Sequence, residues 1–324
     1  MAIPTPSREL VARFRRDAEA LAPGFARLGV AVSGGPDSLA LLLLAQAAFP
    51  GRVEAATVDH RLRPESTIEA LHVEDICARL GCPHAILDVQ VPDGPAGLQA
   101  EARGARYRAL RLWAEARGLS HVATAHHADD QAETVLMRLQ RGSGVGGLAG
   151  IRPVRAEGSV VLIRPLLGWS KAELVRLVGD TGIEAVEDPS NSDERFDRAA
   201  MRRFLREHPE FEPRRIARTA AAAREAEEAL DWAADRLAGE RIVAEGGEWR
   251  LDPAGLPREM RRRLLSRVIA QVRAETGLGW SGDEDVEGLL AALEAGGAAT
   301  RAGVMAKGGA VWRLRLAPPR RGTR

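Results

Sequence analysis

The chain has 324 residues, 45% of them hydrophobic and 28% charged, with a formal net charge of +1. That length suggests about two domains with ample core, and the composition reads as soluble and globular rather than fibrous or disordered. A charge so close to neutral points to no particular partner, and the longest apolar run, residues 39–49, is too short to cross a bilayer and reads as a buried helix.

The opening residues, MAIPTPSREL, contain no apolar signal segment, so a cytoplasmic protein is expected. Residues 7–21 read as an amphipathic helix with Leu10, Phe14 and Leu21 on one side. A short β-branched run, Val30–Val32, then turns through Ser33-Gly34-Gly35-Pro36-Asp37-Ser38 into a Leu-rich helix. The glycines let backbone approach a ligand, and Pro36 fits the first helical turn, where its missing N–H is no loss. The free N–H groups there, with the Ser33 and Ser38 hydroxyls, make an anion site at a positive helix end. A Walker loop needs Lys at this point; here the charged residue is Asp37. A carboxylate suits Mg2+ bridged to a departing pyrophosphate. SGGPDS resembles the pyrophosphate loop of ATP pyrophosphatases, which transfer AMP.

Further strands are expected over 53–58, ending in Asp59-His60, and over 84–89, with a helix between them from Pro64 to Leu80 that Gly81 closes. After the loop VPDGPAG, a helix over 98–117 carries Arg103, Arg106 and Tyr107. A strand over 121–125 ends in His126-His127-Ala128-Asp129-Asp130-Gln131-Ala132-Glu133-Thr134. The alternation of β and α predicts a doubly wound parallel sheet of about five strands with helices on both faces. Ligands bind such sheets at the carboxyl ends of strands where the strand order reverses. If the fourth strand returns beside the first, the loops after Val32 and Ala125 flank one crevice. Asp130 and Glu133 then share a helix face, and Asp130 can meet Asp37 across a shared Mg2+. Asp129 is the expected cap of that helix.

Beyond the Gly-rich stretch 138–150, a strand covers 160–163, followed by Arg164-Pro165. Ser170 and Glu173 form a capping-box pattern, and EDPSN is turn chemistry leading to a run from Arg195 to Arg206. The polar break around His208–Pro213 sets the expected domain boundary: a catalytic domain over 1–210 and a mainly helical domain over 211–324. In the latter, Ile216 to Leu237 and Met260 to Val272 fit helices, and Ser281 with Glu284 boxes the start of a third. Residues 310–316 alternate in polarity and are expected to pair with 300–306 as a hairpin. The arginines at 261, 262, 263 and 267 are candidate phosphate contacts; a solvated helix face is the alternative. Of the 46 basic residues only Lys171 and Lys307 are lysines, and the 2 cysteines, Cys77 and Cys82, imply neither a disulfide framework nor a zinc site.

Together, VAVSGGPDSLALL, VDHRLRPES, LQAEARGARYRAL, ATAHHADDQAETVLMRLQRGSG, IRPLL and EDPSNSDERFDR resemble the tRNA(Ile)-lysidine synthetases, in their compact form with one C-terminal domain. The resemblance implies adenylation of the wobble cytidine of an isoleucine tRNA with a CAU anticodon, then attack by free L-lysine with loss of AMP. It implies that Ser33, Gly34, Gly35, Pro36, Asp37 and Ser38 cradle the ATP phosphates and that Asp37 and Asp130 hold Mg2+. Asp130 and Glu133 would face lysine's ammonium groups, Arg106 its carboxylate or the activated cytidine, and His126 would aid proton transfer. One departure stands out: where the family has Asn and Arg after Arg198, this chain has Ala199 and Ala200. No membrane association is expected, and the oligomeric state is left open, a homodimer being one option. Three other readings compete: tRNA base thiolation, an ammonia-using ligase, and a nucleotide- or RNA-binding module without catalysis.

Overall fold

The computed structural model describes residues 3–61, 65–90, 98–186, 197–277 and 285–318. The chain divides into two compact units, Met1–Arg224 and Glu225–Arg324. The loop VPDGPAG, the EDPSN turn with Arg195 and Phe196, and the Ser281/Glu284 pair lie outside the described residues.

In the first unit the chain runs α1 (Arg8–Leu21), β1 (Leu28–Ala31), α2 (Pro36–Ala48), β2 (Val53–Asp59), α3 (Glu65–Arg79), β3 (His84–Asp88), α4 (Leu98–Arg117) and β4 (His121–Ala123). It continues through α5 (Ala128–Gln140), α6 (Val145–Leu148), β5 (Val154–Glu157), β6 (Val160–Ile163), α7 (Lys171–Gly179) and α8 (Asp197–Glu207) into α9 (Pro213–Arg241). The sheet order is β3-β2-β1-β4-β6-β5. Five strands are parallel, as expected; β5 adds an antiparallel edge by hairpin to β6, with Glu157 opposite Val160. Gly158, at φ +64, makes that turn.

Strand periodicity assigns the two faces. Val30 and Val53 join the core formed with α1, α2 and α7. Ala56 and Val122 pack instead with Tyr107, Leu110 and Trp113 of α4. Gly29 is required by that packing, since a Cβ there would stand 3.0 Å from the Trp113 ring. Helix α2 has no polar face, and Leu39 through Leu44 are all buried. Because the chain passes outward through β1, β2 and β3 and then returns to β4 on the other flank of β1, the strand order reverses between β1 and β4.

The second unit holds the end of α9, then β7 (Ile242–Glu245), β8 (Glu248–Leu251), α10 (Arg258–Ala274), α11 (Glu287–Glu294), β9 (Ala298–Arg301), β10 (Val304–Lys307) and β11 (Trp312–Leu316). These strands form an antiparallel sheet in the order β7-β8-β11-β10-β9. Trp312 and Leu314 are buried with Leu264, Val268 and Leu290, as the alternation over 310–316 requires. Residues 300–306, however, do not form one strand. They turn at Ala302 and Gly303, at φ +51 and +77, into the hairpin β9–β10. The β7–β8 hairpin was not expected. Pro213 is the first residue of α9, which runs on through the division at Arg224.

Candidate active site at the carboxyl ends of β1 and β4

The loop after β1 is shaped by its own residues. Gly34 takes φ +87, where an L side chain is strained, and its carbonyl accepts from Val186 N at 2.9 Å. Gly35 is the N-cap of α2 and Pro36 its first residue. The Ser38 hydroxyl donates to Gly35 O at 2.9 Å and accepts from Ser33 N at 3.0 Å, and the two serine hydroxyls lie 3.2 Å apart. Expected as an anion cradle, the segment has the required local structure: a tight turn into a helix N-terminus without a side-chain cap. Asp37 stands in the first turn of α2.

The loop after β4 meets it. The cap of α5 is His127, not Asp129 as the sequence suggested. His127 Nδ1 accepts from Asp129 N at 3.2 Å, while Asp130 Oδ2 accepts from His127 N at 3.1 Å. Asp129 Oδ2, 3.5 Å from His127 Nδ1, accepts from Lys171 N at 2.8 Å and joins α5 to the start of α7. His127 Nε2 lies 3.3 Å from Asp37 Oδ2 and 3.5 Å from Asp130 Oδ2. Burial pushes this imidazole down, but the Asp129, Asp37 and Asp130 carboxylates outweigh it and hold it at about 10. A second proton would sit on Nδ1, so capping and protonation compete for that atom.

Next to His127 stands a neutral ring. Burial lowers His126 to about 3; Asp130 pulls it upward, while Arg164, Arg103 and Arg198 add to the lowering. Its Nδ1 lies 3.0 Å from the Thr124 hydroxyl. At neutral pH His126 is therefore unprotonated, and its burial makes it a weak base. Glu133 is buried, and its Oε1 accepts from Arg202 Nε of α8 at 2.7 Å. Burial raises the Glu133 carboxyl despite Arg202. Among the described residues its other oxygen has no hydrogen-bond partner, and neither does Asp37 Oδ1.

Arg106 is exposed on α4, and its charge acts on His60 at the end of β2: burial, then Arg106, lower that imidazole. No contact recorded among the described residues brings Arg106 against Asp37, Asp130 or His126. The sequence reading missed three contributors: His127 as the link between the loops, Arg202 as the partner of Glu133, and Arg164. Arg164 ends β6 and is buried; it donates to Arg152 O at 2.5 Å and directs its charge at His126. An arginine closing an apolar strand was the available signal for the last. Asp59, also buried, is structural: it accepts from Arg61 N at 2.9 Å, Ser66 Oγ at 2.6 Å and Thr67 Oγ1 at 2.7 Å.

The arginines at 261, 262, 263 and 267, expected to meet phosphates, are held by carboxylates of their own unit. Arg263 pairs with Glu227 at 2.7 Å, Asp231 at 2.8 Å and Glu259 at 2.9 Å; Arg267 pairs with Asp235 at 2.7 Å. Arg261 reaches Glu294 at 3.4 Å, and Arg262 pairs with Glu287 and Glu259. Their positions bind α10 to α9 and α11.

Comparison with known proteins agrees with this architecture. A family model for the PP-loop domain matches residues 9–208. A tRNA(Ile)-lysidine synthase of Novosphingobium aromaticivorans is 46% identical over 318 residues, covering 96% of this chain and 95% of that one. One from Zymomonas mobilis is 43% identical over 300 residues, covering 91% and 90%. Among solved structures, a U34-tRNA thiolase from Methanococcus maripaludis superposes with a TM-score of 0.56 at 16% identity, over 68% of this chain and 79% of that one, which shows a shared fold. The chain belongs to the PP-loop ATP pyrophosphatases and, within them, to the tRNA(Ile)-lysidine synthases, ATP-dependent ligases that modify tRNA.

Proposed function

We infer that this enzyme adenylates the wobble cytidine of an isoleucine tRNA with a CAU anticodon and joins free L-lysine to it, releasing pyrophosphate and then AMP. The observation that carries this reading is the meeting of Asp37 and Asp130 about the Nε2 of His127, at the mouth of a helix N-terminus suited to phosphate. Asp37 Oδ1 is buried without a hydrogen-bond partner among the described residues, as suits a ligand awaiting a cation. Mg2+ takes one or two carboxylates plus phosphate oxygens, and Asp37 and Asp130 would hold it. A cation held there would supply neutralisation of charge on the departing pyrophosphate.

The protein's own groups supply the rest. Backbone N–H groups of Ser33–Ser38 orient the phosphates. Glu133, with one oxygen unpartnered among the described residues, suits the ammonium of lysine, and neutral His126 can accept a hydrogen bond from the attacking amine. Thiolation is disfavoured by position: Cys77 and Cys82 are buried at the end of α3 and ahead of β3, at the amino edge of the sheet. Among the described residues no helix is long and apolar enough to cross a membrane.

The deciding experiment is nucleoside mass spectrometry of isoleucine tRNA incubated with enzyme, ATP, Mg2+ and lysine. Lysidine should appear only when all are present. Its absence, or a thiolated nucleoside instead, would overturn the assignment.

A further inference from the structure

A second basic feature of the first unit lies outside the Asp37–Asp130 crevice. A cleft of about 590 Å³ opens between the first turns of α9 and a wall that includes Arg13 of α1, Gln131 of α5 and Leu167. Arg214, Arg218 and Arg224 line its α9 side, with Ala217 and Ala221 between them. At 100° per residue these five positions fall on one side of the helix. The acidic groups near the cleft are already engaged. Glu173 pairs with Arg13 at 2.9 Å and with Arg214, and Glu212 pairs with Arg215 at 2.8 Å. Among the described residues Arg218 and Arg224 have no carboxylate partner and the buried Arg214 Nε makes no hydrogen bond.

We propose that this cleft binds the sugar-phosphate backbone of the substrate RNA, with Arg218 and Arg224 as its phosphate contacts; the RNA's identity rests on the function inferred above. Length favours a strand over a single small anion. From Arg214 to Arg224 the helix rises about 15 Å, the reach of several consecutive phosphates rather than one. Arginine is suited to the task, since its planar donors meet phosphate oxygens in pairs. The small alanines between the arginines leave room for the backbone to approach the helix. The arginines of α10, by contrast, are paired with carboxylates of their own unit.

The test is the salt dependence of RNA binding by the full chain carrying both Arg218→Gln and Arg224→Gln. The probes are unmodified isoleucine tRNA, an unrelated RNA hairpin and inorganic pyrophosphate. Each lost phosphate contact should lower the log–log salt slope by about 0.7–0.9 and together they should weaken tRNA binding at least about tenfold at 0.1 M salt. Pyrophosphate and ATP binding should be unchanged, and circular dichroism should show the helix retained. Replacing the exposed Arg8 and Arg16 of α1 by Gln removes the same charge elsewhere and should leave the slope nearly intact. An unchanged tRNA slope in the cleft variant, or an equal fall in the α1 control, would overturn the proposal. Weaker pyrophosphate binding with normal tRNA binding would overturn it in favour of a small anion. If the wild type binds the hairpin as well as tRNA and the variant loses both, the cleft stands while tRNA selectivity fails. If it binds neither RNA, both inferences fall.

Discussion

His127 Nε2 lies 3.3 Å from Asp37 Oδ2, so one imidazole spans the loops that follow β1 and β4. Ninety residues separate the two side chains in sequence, and the reversal of strand order brings them together. The same ring caps α5 and thereby sets where Asp130 and Glu133 point. Asp130 in turn serves both helix and site, because it closes the capping box while facing Asp37 across His127.

That double use separates two substitutions. Asp37→Asn removes charge from the pyrophosphate side and should lower adenylation at least about a hundredfold, the scale of one lost electrostatic contact in a transition state. Asp130→Asn should do likewise while still accepting from His127 N. Asp130→Ala should also lose thermal stability, by about 0.5–2 kcal/mol for a cap. Tracking pyrophosphate release beside thermal melts checks this; normal turnover in either Asn variant would make that carboxylate purely structural.

Glu133→Gln should divide the two half-reactions. Its Arg202 partner comes from α8, and its free oxygen is available for an ammonium group. Pyrophosphate release should survive better than lysine incorporation, measured with labelled lysine. Equal loss in both would place Glu133 with the ATP. Arg202→Gln leaves a buried carboxylate unpaired and should weaken lysine use as well, with a raised KM for lysine.

These features differ in how far sequence could show them. Ser33–Ser38 were legible because Gly, Pro and Ser each have a narrow local role in a strand–turn–helix. The parallel sheet followed from the alternation of elements, whereas the return of the fourth strand beside the first stood only as a condition and the β5 edge was not expected. The cap of α5 was not legible: His127, Asp129 and Asp130 can all accept from backbone N–H, and backbone geometry chooses among them. The Glu133–Arg202 pair joins residues 69 apart, beyond any periodicity. By contrast the β7–β8 hairpin was legible and passed over, since Gly246-Gly247 between alternating residues is a recognised two-residue turn signal. The arginines of α10 were read for phosphate because a charge run carries no mark of what faces it.

Arg263 now has a different expected role. Three carboxylates surround it, and its side chain is only 12% exposed. Arg263→Ala should destabilise the second unit by about 2 kcal/mol, between the values for exposed and fully buried pairs. Its tRNA salt slope should match that of the wild type. A flattened slope with an unchanged melt would instead return this helix to the RNA-binding surface.

Gly34→Ala should damage both fold and catalysis. The residue sits at φ +87, and an added Cβ would meet Val186 Cγ2 at 3.1 Å and Val73 Cγ2 at 3.3 Å. Left-handed backbone alone costs roughly 1–2 kcal/mol in an alanine, and relief would rotate the N–H groups of the loop. A lower melting temperature with weaker ATP binding is expected. An alanine variant with wild-type ATP affinity would show that the loop's shape does not set phosphate binding.

Glu173 gives the first unit a dependence on acid. Burial pushes its carboxyl up from the ordinary 4.5, but the Ser170 N–H and hydroxyl, Arg214 and Arg13 outweigh burial and hold it at about 2. The folded state therefore favours the ionised form. Its contribution is complete above pH 4.5 and is lost as pH falls toward 2, because the unfolded chain takes up the proton first. Glu173→Gln keeps an acceptor for the Ser170 N–H but removes the charge that Arg13 and Arg214 share. Wild type should melt higher than the variant at pH 6, and the gap should narrow steadily between pH 5 and pH 3. The gap should also shrink in high salt, since the pair with Arg13 is partly exposed. A gap that stayed constant across this pH range would mean that Glu173 acts as a neutral cap on α7, with no stabilisation from its ion pairs.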